Sequence, residues 1–141
     1  MGSCAWFIIR LRRHGRRNER TKKHVRYLRD ATSFTALLRH FTEIMIRVGI
    51  LMLLPEPDHG RLVIDSLHVS ADRRRHGIGR ALMAAAKEKA ISVGASALYV
   101  SACSAQETID FYRAMGFAVS PQPIRSYAEA EPCDIQMECR L

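Results

Sequence analysis

The sequence predicts an α/β domain built on a mixed β-sheet, and three stretches carry that expectation. Arg61 to Val69 is an apolar, alternating run of strand type. A turn punctuated by Gly77 and Gly79 leads from it into an alanine-rich amphipathic helix, Ile78 to Val93. A short apolar strand, Ala97 to Ala102, follows. Two strands joined through a helix run parallel in their sheet. The Ile-, Val- and Leu-rich run 43–54 precedes a proline-glycine turn and pairs antiparallel with 61–69 across it. The expected sheet is therefore mixed and flanked by helices.

At 141 residues the chain holds one domain with a single sizeable core. Its charge is unevenly spread. Residues 1–30 carry ten Lys/Arg against Glu19 and Asp30, which is the whole net charge of +8. Residues 31–141 carry twelve of each sign and are neutral. We therefore divide the chain into a basic N-terminal arm, 1–30, and a domain, 31–141. Only residues 10–29 offer an electrostatic hold on nucleic acid, and no interleaved aromatics support base stacking there.

In the arm, Ala5 to Ile9 reads as a short strand and Arg10 to Arg29 as a basic helix or a disordered arm. Positive charge follows the apolar stretch rather than preceding it, the reverse of a secretory signal. Ala31 to Phe41 reads as a short helix capped by Thr32 or Ser33, with Phe34, Leu37, Leu38 and Phe41 on one face. Gly49 marks a bend or bulge in the strand-like run 43–54. The longest apolar run, Gly49 to Leu54, is far too short to span a bilayer. Beyond the central unit, Gly94 stops the long helix. Gln106 to Met115 is a second helix ended by Gly116. Phe117 to Val119 starts a strand, and 120–132, with three prolines, is expected as a loop. Ile135 and Met137 alternate with Gln136 and Glu138, which predicts a final strand buried on one face. Cys4, Cys103, Cys133 and Cys139 are scattered, with no pairing or zinc spacing, and fit a reducing, cytoplasmic setting. Cys103 is expected as a buried or half-buried thiol.

Glycines between a strand and a helix start form a phosphate-binding arrangement. Without Cβ atoms the backbone turns sharply and approaches a ligand closely, and the first helical N–H groups lack intrahelical partners. Arg80-Ala81 after Gly79 excludes the Gly-Lys-Ser/Thr of a P-loop, and Leu82 excludes the third glycine of a dinucleotide fold. What remains, Arg74-x-x-Gly77-x-Gly79, resembles the acetyl-CoA-binding signature of the GNAT N-acetyltransferase superfamily. Leu67-His68-Val69 before it and Arg80-Ala81-Leu82-Met83 after it agree. A second anchor, Phe111-Tyr112-Arg113-Ala114-Met115-Gly116-Phe117, is similar to the superfamily's Phe-Tyr-x-x-x-Gly-Phe segment. The resemblance covers roughly residues 48–141. It departs at Ala105, where many members carry Asn, and at Arg75, where Gly is frequent. The 45 or so residues before Val48 are also fewer than the family's usual strand, two helices and strand.

The resemblance implies an α+β acyl-CoA N-acyltransferase fold with a mostly antiparallel sheet and one splayed parallel strand pair. It implies acetyl-CoA as acetyl donor, with the diphosphate on the backbone amides of Arg75, His76, Gly77, Ile78, Gly79 and Arg80 beside Arg74. The pantetheine arm would pair with Leu67, His68 and Val69 and run toward Ser101 and Ser104. Tyr112 would act as the acid that protonates the leaving thiolate. From the chemistry, an alkylamine with pKa near ~10 is about one-thousandth neutral at pH 7, a cost of roughly 4 kcal/mol that a base relieves in part. Asp65, on the strand feeding the site, is the first candidate for that base, and His68 is the second. The expected activity is direct acetyl transfer to a primary amine on a small molecule, a protein terminus or a lysine, with no metal. Edge strands left open would favour a homodimer. The rival readings are a CoA-binding domain with impaired catalysis and a nucleic-acid-binding module working through the basic arm.

Overall fold

The structure, a computed structural model, describes residues 5–11, 24–28, 46–54 and 57–141. The helix expected over 31–41 lies outside the described residues. Seven strands of the described residues form one sheet: β1 (Ala5–Leu11), β2 (His24–Leu28), β3 (Ile46–Leu53), β4 (Arg61–Val69), β5 (Ala97–Ala102), β6 (Ala118–Val119) and β7 (Ile135–Arg140). Their order across the sheet is β2-β1-β3-β4-β5-β7-β6. Only the β4–β5 pair is parallel; the other neighbours are antiparallel. Among the described residues three α-helices accompany them: α1 (Ile78–Ser92), α2 (Gln106–Ala114) and α3 (Arg125–Ala130).

The two faces of the sheet differ. On one, Leu51, Leu53, Leu62, Ile64, Leu98, Val100, Met137 and Cys139 meet Ile78, Leu82, Met83, Ala86 and Ala90 of α1 and Ile109 and Tyr112 of α2. A fully buried Leu or Ile stabilises by about 1.5–3 kcal/mol, so this face carries most of the fold's stability. Alanines on α1 let its axis lie close to the strands. The other face holds a smaller cluster, Val63, Tyr99 and Ile124, with Leu54 and Tyr127 packed against it.

Gly49 sets how closely α1 begins. A Cβ there would lie 2.8 Å from Ile78 Cγ2 and 3.1 Å from Leu82 Cδ1, so only glycine lets the first turn of α1 rest on β3. The expected bulge is beside it. Ile9 pairs with Gly49 and Arg10 with Arg47, leaving Val48 as the extra residue.

Three expectations need correction. Residues 24–28 form a strand antiparallel to β1 rather than part of a basic helix or a disordered arm. Residues 125–130, expected in a loop, form α3. There, the buried Ile124 side chain and an Arg125–Glu129 ion pair one turn apart outweigh the flanking prolines, while Pro132 bars extension. Gln136, expected on a solvent face, is buried because α3 and the 120–124 segment cover that face.

Candidate functional site

The β4–β5 ladder runs from Arg61 opposite Ala97 to Ile64 opposite Val100 and then ends, although both strands continue. The cause is local. On the β3 side, Leu53 pairs with Ile64 and Met52 with Ser66, so Asp65 is an extra, bulged residue. A bulge bends its strand and sharpens the twist. Beyond it β4 stays with β3 as far as Val69, and β5 stays with β7 as far as Ala102. The parallel strands therefore part. The bulge also shifts the alternation: Leu62 and Ile64 enter the helix-side core before it, Leu67 and Val69 after it. Asp65, Ser66 and His68 fall on the opposite face, with Asp65 and His68 exposed. Leu67, His68 and Val69 thus line the opened edge.

From Val69 the chain passes through one 3-10 turn, Ala71–Arg73, and a tight loop into α1. Two loop residues have left-handed backbone, Arg75 at φ 62° and Gly77 at φ 73°. Successive amides in such a loop converge into an anion-binding concavity. His76 Nδ1 lies 2.7 Å from the Arg74 carbonyl; the carbonyl can only accept, so Nδ1 carries the proton. Arg74 Nε makes a long contact of 3.5 Å with the Val69 carbonyl. The N-cap of α1, Gly77, offers no side-chain cap, and no acid stands in the first turn. The N–H of Ala81 donates to Gly77 O at 3.1 Å, and the amides of Ile78, Gly79 and Arg80 before it have no intrahelical acceptor. Arg74, Arg75 and Arg80 are exposed around this point. Ile78 itself is buried, so it can offer only its N–H.

Gly79 has a role the sequence did not disclose. A Cβ on it would lie 2.9 Å from Phe111 Cε2, so its bareness serves the contact between α1 and α2. A large residue at 79 would disturb helix packing as well as any ligand. Lys87 Nζ ties the same helices by donating to Met115 O at 2.9 Å, at the C-terminal end of α2.

Tyr112 stands on the buried side of α2, edge-on between Phe111 and Phe117 at ring distances of 5.3 and 5.2 Å. It is 5% exposed, and among the described residues its hydroxyl has no hydrogen-bond partner. Burial pushes its pKa from 10.0 up to about 12. The phenol therefore holds its proton throughout the neutral range. Ser104 is exposed between β5 and α2, next to Ala105, the N-cap of α2, which gives no side-chain cap. Cys103, expected to be at least half-buried, is exposed, because β5 ends one residue earlier.

The opposite face carries a polar network. Tyr99 OH accepts from the Ile124 N–H at 2.9 Å and donates to Gln136 Oε1 at 2.6 Å, and Gln136 Nε2 donates to Ser101 Oγ at 2.8 Å. Tyr127, on α3, has its pKa raised first by burial and then by the Asp65 carboxylate, which places Asp65 among this face's neighbours. A cavity of about 800 Å³ lined by His59, Arg61, Gln122, Glu138 and Arg140 lies at the closed end of the β4–β5 pair, away from the opening.

A family model described as the acetyltransferase (GNAT) family matches residues 7–117. The chain belongs to the GNAT family. No curated protein matches it. Solved structures share the fold. An IAA acetyltransferase from Bacillus cereus ATCC 14579 has a TM-score of 0.56 at 22% identity, over 68% of this chain and 71% of that one. The PaiA N-acetyltransferase from Thermoplasma acidophilum, in complex with coenzyme A, gives 0.55 at 17%, over 67% and 54%. The N-acetylglutamate synthase from Neisseria gonorrhoeae, complexed with coenzyme A and N-acetyl-glutamate, gives 0.59 at 22%, over 77% and 28%. The chain thus spans about half the length of the second and under a third of the third.

Within this GNAT domain, the residues singled out from sequence fall into groups. Leu67 to Val69, Arg74 to Arg80 and Ser101 surround the opening and the helix start it leads to. Asp65 and Ser101 stand at the first positions beyond the last ladder pair, on the face opposite α1. Tyr112 lies in the helix-side core. No helix among the described residues is long and apolar enough to cross a membrane. Sequence reasoning missed Gln136 and Tyr99. A glutamine in an alternating strand reads as solvent-facing until the pairing of β5 with β7 sets it opposite Ser101.

Proposed function

We propose that the protein is an acetyl-CoA-dependent N-acetyltransferase that moves an acetyl group directly to a primary amine. One observation carries this reading: the parting of β4 and β5 at Asp65 leads straight to the uncapped N-terminus of α1. The residues present suit a diphosphate. Converging amides, exposed arginines and the absence of acid in the first turn all favour an anion there. Bound acetyl-CoA supplies an activated thioester. The opened edge of β4 offers backbone groups to an extended arm, in the manner of an added strand. Asp65 takes the proton of the ammonium acceptor. Tyr112, protonated and with no hydrogen-bond partner among the described residues, gives a proton to the departing thiolate. In this reading both proton transfers run through the chain's own residues.

Measured release of free thiol from acetyl-CoA, over a panel of primary amines, tests the activity. Acceptor-dependent release is expected. Tight CoA binding with no release on any amine would favour the reading of a CoA-binding domain with impaired catalysis.

A further inference from the structure

We infer that Tyr99 and Gln136 are positioning residues that fix Ser101 as a hydrogen-bond donor into the β4–β5 opening, where it meets the thioester carbonyl. This rests on the acetyltransferase reading above and goes beyond it, since it assigns a function to a buried network the reaction does not otherwise use.

The proton positions follow one from another. The Ile124 N–H can only donate, so Tyr99 OH accepts it at 2.9 Å. The Tyr99 proton then goes to Gln136 at 2.6 Å, where it needs an acceptor, and that fixes the amide with Oε1 toward Tyr99. Nε2 is thereby turned to Ser101 Oγ at 2.8 Å, and it can only donate. Ser101 Oγ must accept, so its own proton points elsewhere. Among the described residues it has no internal acceptor. The chain of bonds has a single polarity, set at one end by a backbone amide.

The register says where that proton is delivered. The last pair of the parallel ladder is Ile64 with Val100, so the next positions are Asp65 on one strand and Ser101 on the other. Both lie on the face away from α1. Ser101 alternates with Val100 and Ala102 of the helix-side core, and Asp65, the bulged residue, follows Ile64 of that core. The candidate base and the polarised hydroxyl therefore stand on the two lips of the same mouth. The base must sit where the amine attacks, so a donor across from it belongs to the reacting carbonyl rather than to the length of the arm. The cost of the arrangement is visible. Gln136 and Tyr99 are 7% and 0% exposed, and burying polar groups is favourable only when every member is satisfied.

Four variants test this, with steady-state kinetics and CoA affinity measured on each. Ser101→Ala should lower kcat roughly 100-fold with CoA affinity nearly unchanged, as for loss of one oxyanion donor, and Ser101→Thr should restore most of it. Gln136→Glu is the sharper probe. A protonated Glu donates to Ser101 as Gln does; a carboxylate instead accepts the Ser101 proton and reverses its direction. Its kcat should therefore stay near that of the native protein at low pH and fall as pH rises through the carboxyl's own pKa. Gln136→Met, which cannot donate, should be slow at every pH. Burial and Glu138 on the same strand raise that pKa; Arg61 on β4 lowers it. Asp65 and His68 on β4, Tyr99 on β5 and Tyr127 on α3 share this face, the Asp58 carboxylate acts on both tyrosines, and the 120–124 segment brings no titratable group. The inference is overturned if the Gln136→Glu profile runs parallel to that of the native protein. It is overturned equally if Ser101→Ala keeps its kcat, or if its loss lies wholly in CoA affinity. Should Gln136→Glu not fold, the Ala and Thr pair at 101 decides. A native protein that neither binds CoA nor releases thiol sinks the acetyltransferase reading, and this inference with it. Normal native turnover with unaffected variants sinks the relay alone.

Discussion

Replacing Gly49 by alanine adds one methyl group where the structure has no room for it. The new Cβ would lie 2.8 Å from Ile78 Cγ2, 3.1 Å from Leu82 Cδ1 and 3.3 Å from the His68 carbonyl. Carbon atoms rest near 3.5–4.0 Å, so Ile78 must move by nearly 1 Å. It cannot move freely, since Ile78 is 2% and Leu82 0% exposed. Overpacking of this kind costs about 1–3 kcal/mol, and removing a glycine from a strand returns about 0.5–1 kcal/mol. The expected net loss is about 1–2 kcal/mol, or roughly 3–7 °C in Tm for a domain of this size. Thermal unfolding by circular dichroism reads it. Ile78→Leu removes the offending methyl at nearly constant volume, so the double variant should recover about 0.5–1.5 kcal/mol relative to the sum of the singles. Because Ile78 begins α1, the single variant should also weaken CoA binding through the displaced loop. A neutral or stabilising Gly49→Ala, or strict additivity with Ile78→Leu, would show that α1 does not rest on β3 as described.

Other expectations follow from the same geometry. Arg75 is held at φ 62°, which costs a residue with a side chain about 1–2 kcal/mol, so Arg75→Gly should stabilise by about 0.5–1 kcal/mol after the entropy of glycine is set against it. CoA affinity should not change if residue 75 contributes only its amide; a large loss would show that the guanidinium binds. Tyr112→Phe should leave folding and CoA affinity intact, since it removes a hydroxyl with no hydrogen-bond partner among the described residues, while lowering kcat about 100-fold. The native protein should also lose stability above pH 10. Its folded phenol ionises near 12 against 10.0 unfolded, so the contribution is complete below pH 10 and fades by about 2–3 kcal/mol toward pH 12. The Phe variant should show a smaller fall, since Tyr99 and Tyr127, also raised by burial, still contribute; an identical fall in both proteins would assign it elsewhere. Asp65→Asn should slow turnover at least tenfold at pH 7, with the gap closing as the pH nears the amine's own pKa of about 10 and solution supplies the neutral form. A gap that stays constant with pH would remove Asp65 from the role of base.

Much of the central architecture was legible because it is written in local pattern. Alternation over 61–69, the apolar run 97–102 and the amphipathic spacing of Ile78, Leu82, Ala86 and Ala90 each fix an element whose bounds the structure nearly reproduces. The parallel pairing of β4 with β5 followed from the intervening helix alone. What escaped depends on contacts distant in sequence. The bulge at Asp65 appears only when β3 is laid beside β4, and the polarity of Ser101 only when β7 is laid beside β5. In the sequence Gly79 signals clearance for a ligand, and its contact with Phe111 emerges only from the packing of two helices. Residues 125–130 carried loop composition, and it is Ile124 seated under Tyr99 that holds them helical. Arg75 stands where the resemblance favours glycine, and the positive φ at this position is the physical reason for that preference.

The central claim is that the loop between β4 and α1 holds a diphosphate. Titration calorimetry of the full chain with coenzyme A and, separately, with pantetheine tests it most directly, since pantetheine keeps the arm and lacks the phosphates. Two or more charge-assisted hydrogen bonds at about 1.5–3 kcal/mol each predict one-to-one binding of coenzyme A at least about 100-fold tighter than pantetheine. Equal affinity for the two, or no heat with coenzyme A on folded protein, would contradict it.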